Sequence, residues 1–298
     1  MALFAKISDI HANEPALLRA MNVIRYERGI PRENVRCLGD IVGYGPNVNE
    51  CVDLIKSFEI PTLTGNHDQA VVDPFFDLKD FNGAAETAVH YARENLSDRN
   101  KEYLSTRPYT FPPEIDSRYG FECVHGSLVK PEEFKYVEAQ VRSVKAREVF
   151  AVMTQPVLFI GHSHVPDILK ENPGNVFDGY DRIDITEKPY QLEPGVRYII
   201  NVGSVGQPRT STPSDSNTRD PRACFVIYDT EKHTVEFVRV NYKIEKIQKA
   251  LREAYWIKIA ELNEELEKQG RKKLPEKIAG IPLETVGDFL AERLEKGI

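Results

Sequence analysis

Seven histidines occur in the chain, and five of them cluster where short apolar runs end, beside Asp, Asn or Gly. The segments are Ser8-Asp9-Ile10-His11, Gly39-Asp40, Gly65-Asn66-His67-Asp68, His125-Gly126 and Gly161-His162-Ser163-His164. One histidine beside one aspartate is ordinarily a surface pair or a satisfied core residue. Five such segments, each closing an apolar run, instead collect lone-pair donors for a cation. Carboxylate and amide oxygens combined with neutral imidazoles suit borderline divalent ions such as Mn, Fe, Co, Ni or Zn, whereas an all-oxygen set would suit Mg or Ca. Asp9, His11, Asp40, Asn66, His125, His162 and His164 are too many ligands for one tetrahedral ion. They fit two ions about 3.5 to 4 Å apart that share one bridging carboxylate and keep positions open for water and substrate. Asp-x-His and His-x-His spacing also puts alternate residues of an extended strand end on one side. His90 and His233 belong to no motif and are left out of the set.

Segments so far apart in sequence meet only if the elements carrying them converge. Through the first half, short apolar runs alternate with helical patterns, the mark of βαβ units and a largely parallel sheet. Strands are expected at Leu3 to Ile7, Val35 to Leu38 and Ile60 to Thr64, and helices at Pro15 to Tyr26, capped by Asn13 and stopped at Gly29, and at Val48 to Phe58. Residues 73–108 read as a helical insertion longer than a crossover needs, of the kind that lines or covers a site. The second half is richer in strands, at Gly120 to His125, Val157 to Ile160, Arg197 to Val202, Ala223 to Tyr228 and Thr234 to Val240, the last two joined as a hairpin. Pro208 to Pro221, dense in Ser, Thr, Pro and Asp, reads as a surface loop. The carboxyl ends of parallel strands line the ligand crevice of an open α/β sheet, so the donor segments converge at one edge.

Composition narrows the partners. A net charge of −7 argues against an extended nucleic-acid surface, which needs clustered Lys and Arg, but leaves room for a small anionic substrate. The basic run Arg271 to Lys273 is flanked by Glu267 and Glu276 and reads as a solvated face. With no basic leader and no apolar run near membrane-spanning length, the expected location is the cytoplasm. Cys37, Cys51, Cys123 and Cys224 are widely spaced and read as small buried side chains, so no disulfide is expected. Gly203 to Gly206 lacks a full dinucleotide fingerprint and reads as a tight turn. Tyr44 reads as packing under a Gly-Pro turn, with the cleft as its alternative place.

The ordered set Asp9-x-His11, Gly39-Asp40, Gly65-Asn66-His67-Asp68, His125 and Gly161-His162-x-His164 resembles the calcineurin-like metallophosphoesterase superfamily, over roughly Leu3 to Tyr228. Gly39 to Cys51 and Asn201 to Arg209 look more particularly like its small bacterial and archaeal phosphatases and phosphodiesterases. The resemblance implies one metal held by Asp9, His11, Asp40 and His164, and another held by Asp40, Asn66, His125 and His162, with Asp40 bridging. It implies a metal-bridging hydroxide as nucleophile, His67 as general acid and Asp68 as the residue that orients His67. The implied fold is a four-layer α/β/β/α sandwich of two mixed sheets, with the helical insertion near the metal edge.

This chain departs from the protein Ser/Thr phosphatases of that superfamily, which carry Asp-x-x-Asp-Arg-Gly where it reads Asp40-Ile-Val-Gly-Tyr44-Gly, and Gly-Asn-His-Glu where it ends in Asp68. Their phosphate-gripping Arg is missing. Arg209 is the candidate substitute, because a planar guanidinium grips two phosphate oxygens. The expected activity is metal-dependent hydrolysis of a phosphomonoester or phosphodiester, nucleotide-type compounds included. The alternative is a non-catalytic binding scaffold on the same fold, as in the retromer scaffold subunit; the complete ligand set and His67 favour catalysis. The expected division is a catalytic domain over 1–242 and a helical extension over 243–298. Ile247, Leu251, Tyr255, Leu262 and Leu266 track one face of that extension up to Gly270 and Pro275, and a short helix follows from Leu283 to Leu294. Its stripe packs on the chain's own sandwich or, alternatively, forms a homo-oligomer face.

Overall fold

The computed structural model describes residues 3–115, 119–138, 142–186, 188–209 and 220–254, with the backbone of 277–278 and 281–282. Expectations for Tyr255 to Leu266, Gly270, Arg271 to Lys273, Pro275 and Leu283 to Leu294, and for most of the Pro208 to Pro221 loop, lie outside the described residues.

The first half runs β1 (Leu3–Ile7), α1 (Glu14–Asn22), β2 (Val35–Cys37), α2 (Val48–Ser57), α3 (Asn66–Val72), α4 (Gly83–Asn95) and α5 (Asp98–Ser105). There follow β3 (Phe121–Cys123), β4 (Tyr136–Val137), β5 (Ser143–Val144), α6 (Ala146–Val152) and β6 (Val157–Ile160). The chain continues through β7 (Asp167–Glu171), β8 (Tyr180–Arg182), β9 (Tyr190–Gln191), β10 (Tyr198–Asn201), β11 (Ala223–Asp229) and β12 (Thr234–Val240). Residues 244–254 are helical, and Lys277–Ile278 pairs antiparallel with Ile281–Pro282.

Two five-stranded mixed sheets form the centre, ordered β2-β1-β11-β12-β9 and β3-β6-β10-β7-β8. The central strands β6, β10 and β11 are buried on both faces, and their two-residue period sorts side chains between two cores. In β11, Ala223, Phe225 and Ile227 face the core shared with α1 and α2, while Cys224, Val226 and Tyr228 face the second sheet. In β6, Val157 and Phe159 enter that inter-sheet core, while Leu158 and Ile160 pack with Val149 and Phe150 of α6. The result is helix, sheet, sheet, helix. Each fully buried aliphatic or aromatic side chain contributes roughly 1.5 to 3 kcal/mol against exposure, which is why these near-continuous apolar runs hold the middle layers. All four cysteines are free and buried. Among the described residues no helix is long and apolar enough to cross a membrane.

Several expectations change. In the first sheet only β1 and β2 pair in parallel; β11 joins β1 antiparallel. Ile60 to Thr64 is no strand. It lies beside β2 through a single bridge, Cys37 to Thr62, in which the Cys37 amide donates to Pro61 O and the Leu63 amide to Cys37 O; Pro61 has no N–H with which to extend the ladder. The insertion is not helical throughout. Between α3 and α4 the side chains of Asp73 and Asp77 accept the amides of Phe75 and Lys79, local turns that compete with helix. Helix resumes at α4, where Asn82 caps Ala85 at 3.0 Å.

Candidate metal centre

Parallel strand ends place the donors. Asp9 and His11 follow β1, Asp40 follows β2, His125 follows β3, and His162 and His164 follow β6. The turns after β1 and β2 are joined by backbone bonds: the Asp9 amide donates to Gly39 O at 3.0 Å and the His11 amide to Asp40 O at 3.0 Å. Further links cross between the sheets. The His162 amide donates to the Asp9 carboxylate at 3.1 and 3.2 Å, and His125 Nδ1 to Leu38 O at 2.9 Å. Asp9, His11, Asp40, His162 and His164 all have left-handed backbone, with φ of 52, 48, 54, 66 and 63°. Each such residue costs on the order of 1 kcal/mol, and five at one edge persist because the surrounding hydrogen bonds over-determine them. Close approach also restricts Gly65, where a Cβ would collide with the Asp40 carboxylate.

One ligand atom each from Asp9, His11, Asp40 and His164 lie within 4.8 Å of one another, and the same holds for Asp40, His125 and His162. Asn66 adjoins the second group, its Oδ1 3.2 Å from His125 Nε2. The hydrogen bonds make the donors' need for a cation explicit. His11 Nδ1 faces Val42 O at 3.1 Å and His164 Nδ1 faces Gln207 O at 2.8 Å, so each Nδ1 carries the proton. Their Nε2 lone pairs then point at each other across 3.0 Å, an arrangement that repels without positive charge nearby. Asp40 is 1 % exposed; its Oδ1 accepts the His67 amide at 2.8 Å, while its Oδ2 is buried with no hydrogen-bond partner. That oxygen lies 3.7 Å from His11 Nε2 and 3.4 Å from His125 Nε2. An orphaned buried carboxylate oxygen among imidazole nitrogens fits bound divalent cations.

Electrostatics agree. Burial holds His11, His162 and His164 well below the usual imidazole range, keeping their lone pairs available. Burial opposes charge on His125 too, but the Asp40, Asp9 and Asp68 carboxylates outweigh it and lift this imidazole to about 9. Burial would likewise raise Asp40, yet His125 and His67 hold it well below the carboxylate range. Asp9 is pushed by burial to about 7, despite the opposing pull of His125.

His67 reaches the cleft beside this cluster, its ring 4.8 Å from that of His11 and 4.9 Å from that of Tyr44. Burial lowers it to about 4, and its Nδ1 is buried without a partner, so Nε2 is the nitrogen left for the cleft. Asp68 has different partners from those expected of a residue that orients the His67 ring. Its Oδ1 accepts the amides of Ile41 and Val42 at 2.9 and 3.1 Å, and its Oδ2 accepts that of Gly65 at 3.2 Å. These bonds tie the first turn of α3, which carries both His67 and Asp68, to the turn after β2. Arg209 lines the cleft, its Nη2 donating to Tyr44 Oη at 3.4 Å and its Nε buried without a partner. Tyr44 therefore takes its alternative place, in the cleft wall, and also packs on Ile247 and Leu251.

The cleft encloses about 310 Å³. Phe76, Phe81 and Asn82 of the insertion line it, together with Phe134, Tyr136 and Arg142 of residues 130–144. Those last three escaped the sequence reading, since no motif or period marks residues 130–144. The Gly203 to Gly206 turn is also more than a connection: Ser204 Oγ donates to Asp9 O at 2.7 Å, and the Gly206 amide donates to the same carbonyl at 3.0 Å. His233 lies apart, stacked on Tyr119 at 3.9 Å and bonded to Tyr228 Oη.

The model of the calcineurin-like phosphoesterase superfamily domain matches residues 2–232. An uncharacterized protein of Methanocaldococcus jannaschii is 33 % identical over 245 residues, 82 % of this chain and 90 % of that one. The crystal structure of a metallophosphoesterase from Sphaerobacter thermophilus is similar with a TM-score of 0.68 and 29 % identity, covering 99 % of each chain. A hypothetical protein from Pyrococcus horikoshii shares the fold at a TM-score of 0.61 and 22 % identity, over 90 % of this chain and 97 % of that one. Motifs, fold and relatives converge on one conclusion: the chain belongs to the calcineurin-like phosphoesterase superfamily.

Proposed function

We propose that this chain hydrolyses phosphate esters with two divalent metal ions. The observation that carries the reading is the pair of donor groups sharing Asp40, whose buried Oδ2 has no protein partner. Asp9, His11, Asp40 and His164 would hold one ion, and Asp40, Asn66, His125 and His162 the other. Bound there, ions such as Mn, Fe, Co, Ni or Zn supply an activated water and neutralise charge on the phosphoryl oxygens. The protein's part is to bind, orient and protonate. Arg209, which lines the cleft, offers its guanidinium to the phosphoryl group. His67, neutral in the isolated chain, takes up a proton when the substrate's negative charge sits beside it, and delivers that proton from Nε2 to the leaving oxygen. Asp68 holds the first turn of α3, on which His67 stands.

Phe76, Phe81 and Phe134 give the cleft apolar walls suited to a leaving group that carries a planar ring, such as the base of a nucleoside, in a mono- or diester. The division into a catalytic domain over 1–242 and an extension over 243–298 is part of the same reading. Burial of Ile247 and Leu251 against Tyr44, Ala84, Ala85 and Ala88 supports an extension docked beside the cleft. The test is to strip the protein of metal, restore Mn, Fe, Co, Ni, Zn or Mg singly, and assay a panel of alkyl, aryl and nucleoside phosphate mono- and diesters. Hydrolysis restored by at least one transition ion is expected. A folded, metal-loaded protein inert toward every ester would sink the reading and leave the scaffold alternative.

A further inference from the structure

We propose that Tyr136 has two jobs in the cleft: its hydroxyl donates a hydrogen bond to a phosphoryl oxygen of the bound ester, and its ring holds the His162 imidazole in plane. The proposal rests on the hydrolase reading above and names a residue that no sequence motif marks. The Tyr136 ring lies flat on that of His162, with centroids 3.9 Å apart and planes 16° from parallel. It lines the same cleft as Asp40, Asn66, His67, His164 and Arg209. Other polar side chains of that wall are already engaged: the Tyr44 hydroxyl accepts from Arg209, and Arg142 pairs with Asp80. Among the described residues the Tyr136 hydroxyl has no hydrogen-bond partner, and it is not among the sealed, unsatisfied atoms of the interior. A hydroxyl open to a cleft whose ligands are phosphate esters has an evident acceptor.

The backbone is arranged to bring this residue in. The segment from Phe134 to Tyr136 presses on Gly126, next to His125; a Cβ on Gly126 would sit 2.8 Å from Lys135 O. Lys130 and Phe134 both adopt left-handed backbone, φ 54 and 47°, in the turns that deliver the segment. The Tyr136 amide donates to Arg142 O at 3.1 Å, and β4 pairs with β5. Phe134 meets the His125 ring edge-on at 6.0 Å, while Tyr136 stacks on His162. One strained ribbon thus supports both histidines of the second donor group. Strain of this kind survives where the surroundings enforce it, commonly at functional sites.

The chemistry asks little of the phenol. Burial raises the phenol above its ordinary value near 10, so it carries its proton at neutral pH and donates to an oxygen on which negative charge grows as the ester is attacked. No bond to Tyr136 forms or breaks. A positioned donor of this type discriminates in favour of the transition state because it costs no reorganisation at the moment of reaction.

Two variants separate the jobs. Tyr136→Phe keeps the stacked ring and removes the hydroxyl; Tyr136→Leu removes both. For Tyr136→Phe the expected result is wild-type metal content and an unchanged Co(II) absorption spectrum, a kcat for an aryl phosphodiester lower by on the order of 10- to 100-fold, and weaker binding of inorganic phosphate by calorimetry. Tyr136→Leu should in addition shift the Co(II) spectrum and lower the stoichiometry of one ion. Wild-type kcat and phosphate affinity in Tyr136→Phe would overturn the donor role, and metal loss in that variant would make the residue a structural support instead. A wild-type protein that hydrolyses no ester overturns the hydrolase reading; the phosphate affinities of wild type and Tyr136→Phe still decide the donor.

Discussion

Lys6 offers a quantitative test of the fold's electrostatics. It lies in the middle of β1 with its side chain between the two sheets, 0 % exposed, its Nζ without a hydrogen-bond partner. The ammonium position is 3.6 Å from the centroid of Phe121 and 4.6 and 5.4 Å from those of Phe4 and Phe159. Burial pulls its pKa from 10.5 to about 7. Because the folded form binds its proton more weakly than the unfolded one, stability from this group is fully present above pH 10.5 and is lost as pH falls toward 7. The difference of 10.5 minus about 7 is about 3.5 units. At roughly 1.4 kcal/mol per unit it sets a ceiling near 5 kcal/mol, of which about 4 is felt at pH 7, where the folded group is half protonated. Attraction to the ring faces returns on the order of 1 to 2 kcal/mol to the charged form, leaving a net cost of about 2 to 3 kcal/mol. Lys6→Met, close in volume and apolar, should therefore raise unfolding free energy by about 2 to 3 kcal/mol at pH 7, with a gain that shrinks to about 1.4 kcal/mol by pH 9.5 and vanishes above pH 10.5. Urea unfolding of both proteins, at fixed metal and reductant and at several pH values between 7 and 10, gives this difference directly. Titrating groups that do not sense the Lys6 charge are common to the two proteins and cancel; Cys123, Arg36 and Glu114 do sense it. A gap that stayed constant or widened with pH, or a Lys6→Met protein less stable at pH 7, would refute the reasoning.

At the metal centre, Asp40→Asn should lower the affinity of both ions by more than 100-fold in equilibrium dialysis, because it removes the charge shared by both donor groups; loss of only one ion would remove Asp40 from the bridge. His67→Ala should keep both ions by elemental analysis while kcat falls on the order of 100-fold or more, most for esters with poor leaving groups; loss of metal would make His67 a ligand. Since the carboxylates lift His125 to about 9, metal entry at neutral pH must displace its proton. Apparent affinity for the second ion should therefore rise about tenfold per pH unit between 7 and 9, read by competition with a chelator, and a flat profile would contradict the charge assigned to His125. Gly65→Ala drives a Cβ into the Asp40 carboxylate, and should cost roughly 1 to 3 kcal/mol of stability together with metal affinity, measured by thermal melts with and without Mn.

Strands with strong local signals were legible before any coordinates. Leu3–Ile7, Val157–Ile160 and Ala223–Asp229 are apolar runs long enough to identify themselves, and the donor segments that follow the first two could be collected by residue type alone. Ile60 to Thr64 has the same composition and is no strand, because one proline removes the donor that a ladder needs. The turns at Asp73 and Asp77 replaced expected helix for a similarly local reason, an aspartate side chain competing for a backbone amide. Segments such as Tyr136–Val137 and Tyr180–Arg182 are too short to carry a period, so no pattern announced them.

By itself, then, the sequence determined which atoms could bind a cation: Asp, Asn and His side chains, each at the end of an apolar run. Residue chemistry is local, and it is written one letter at a time. How those atoms face one another was decided only in three dimensions. The lone pairs of His11 and His164 meet across 3.0 Å although the residues are 153 apart in sequence. The Asp40 oxygen has no partner because of how two turns and two sheets close around it. Tyr136 lies on His162 because a strained ribbon crosses Gly126. Such relations depend on distances between groups that the chain separates widely, and only packing of the two sheets brings those distances within reach of a hydrogen bond or a metal ion.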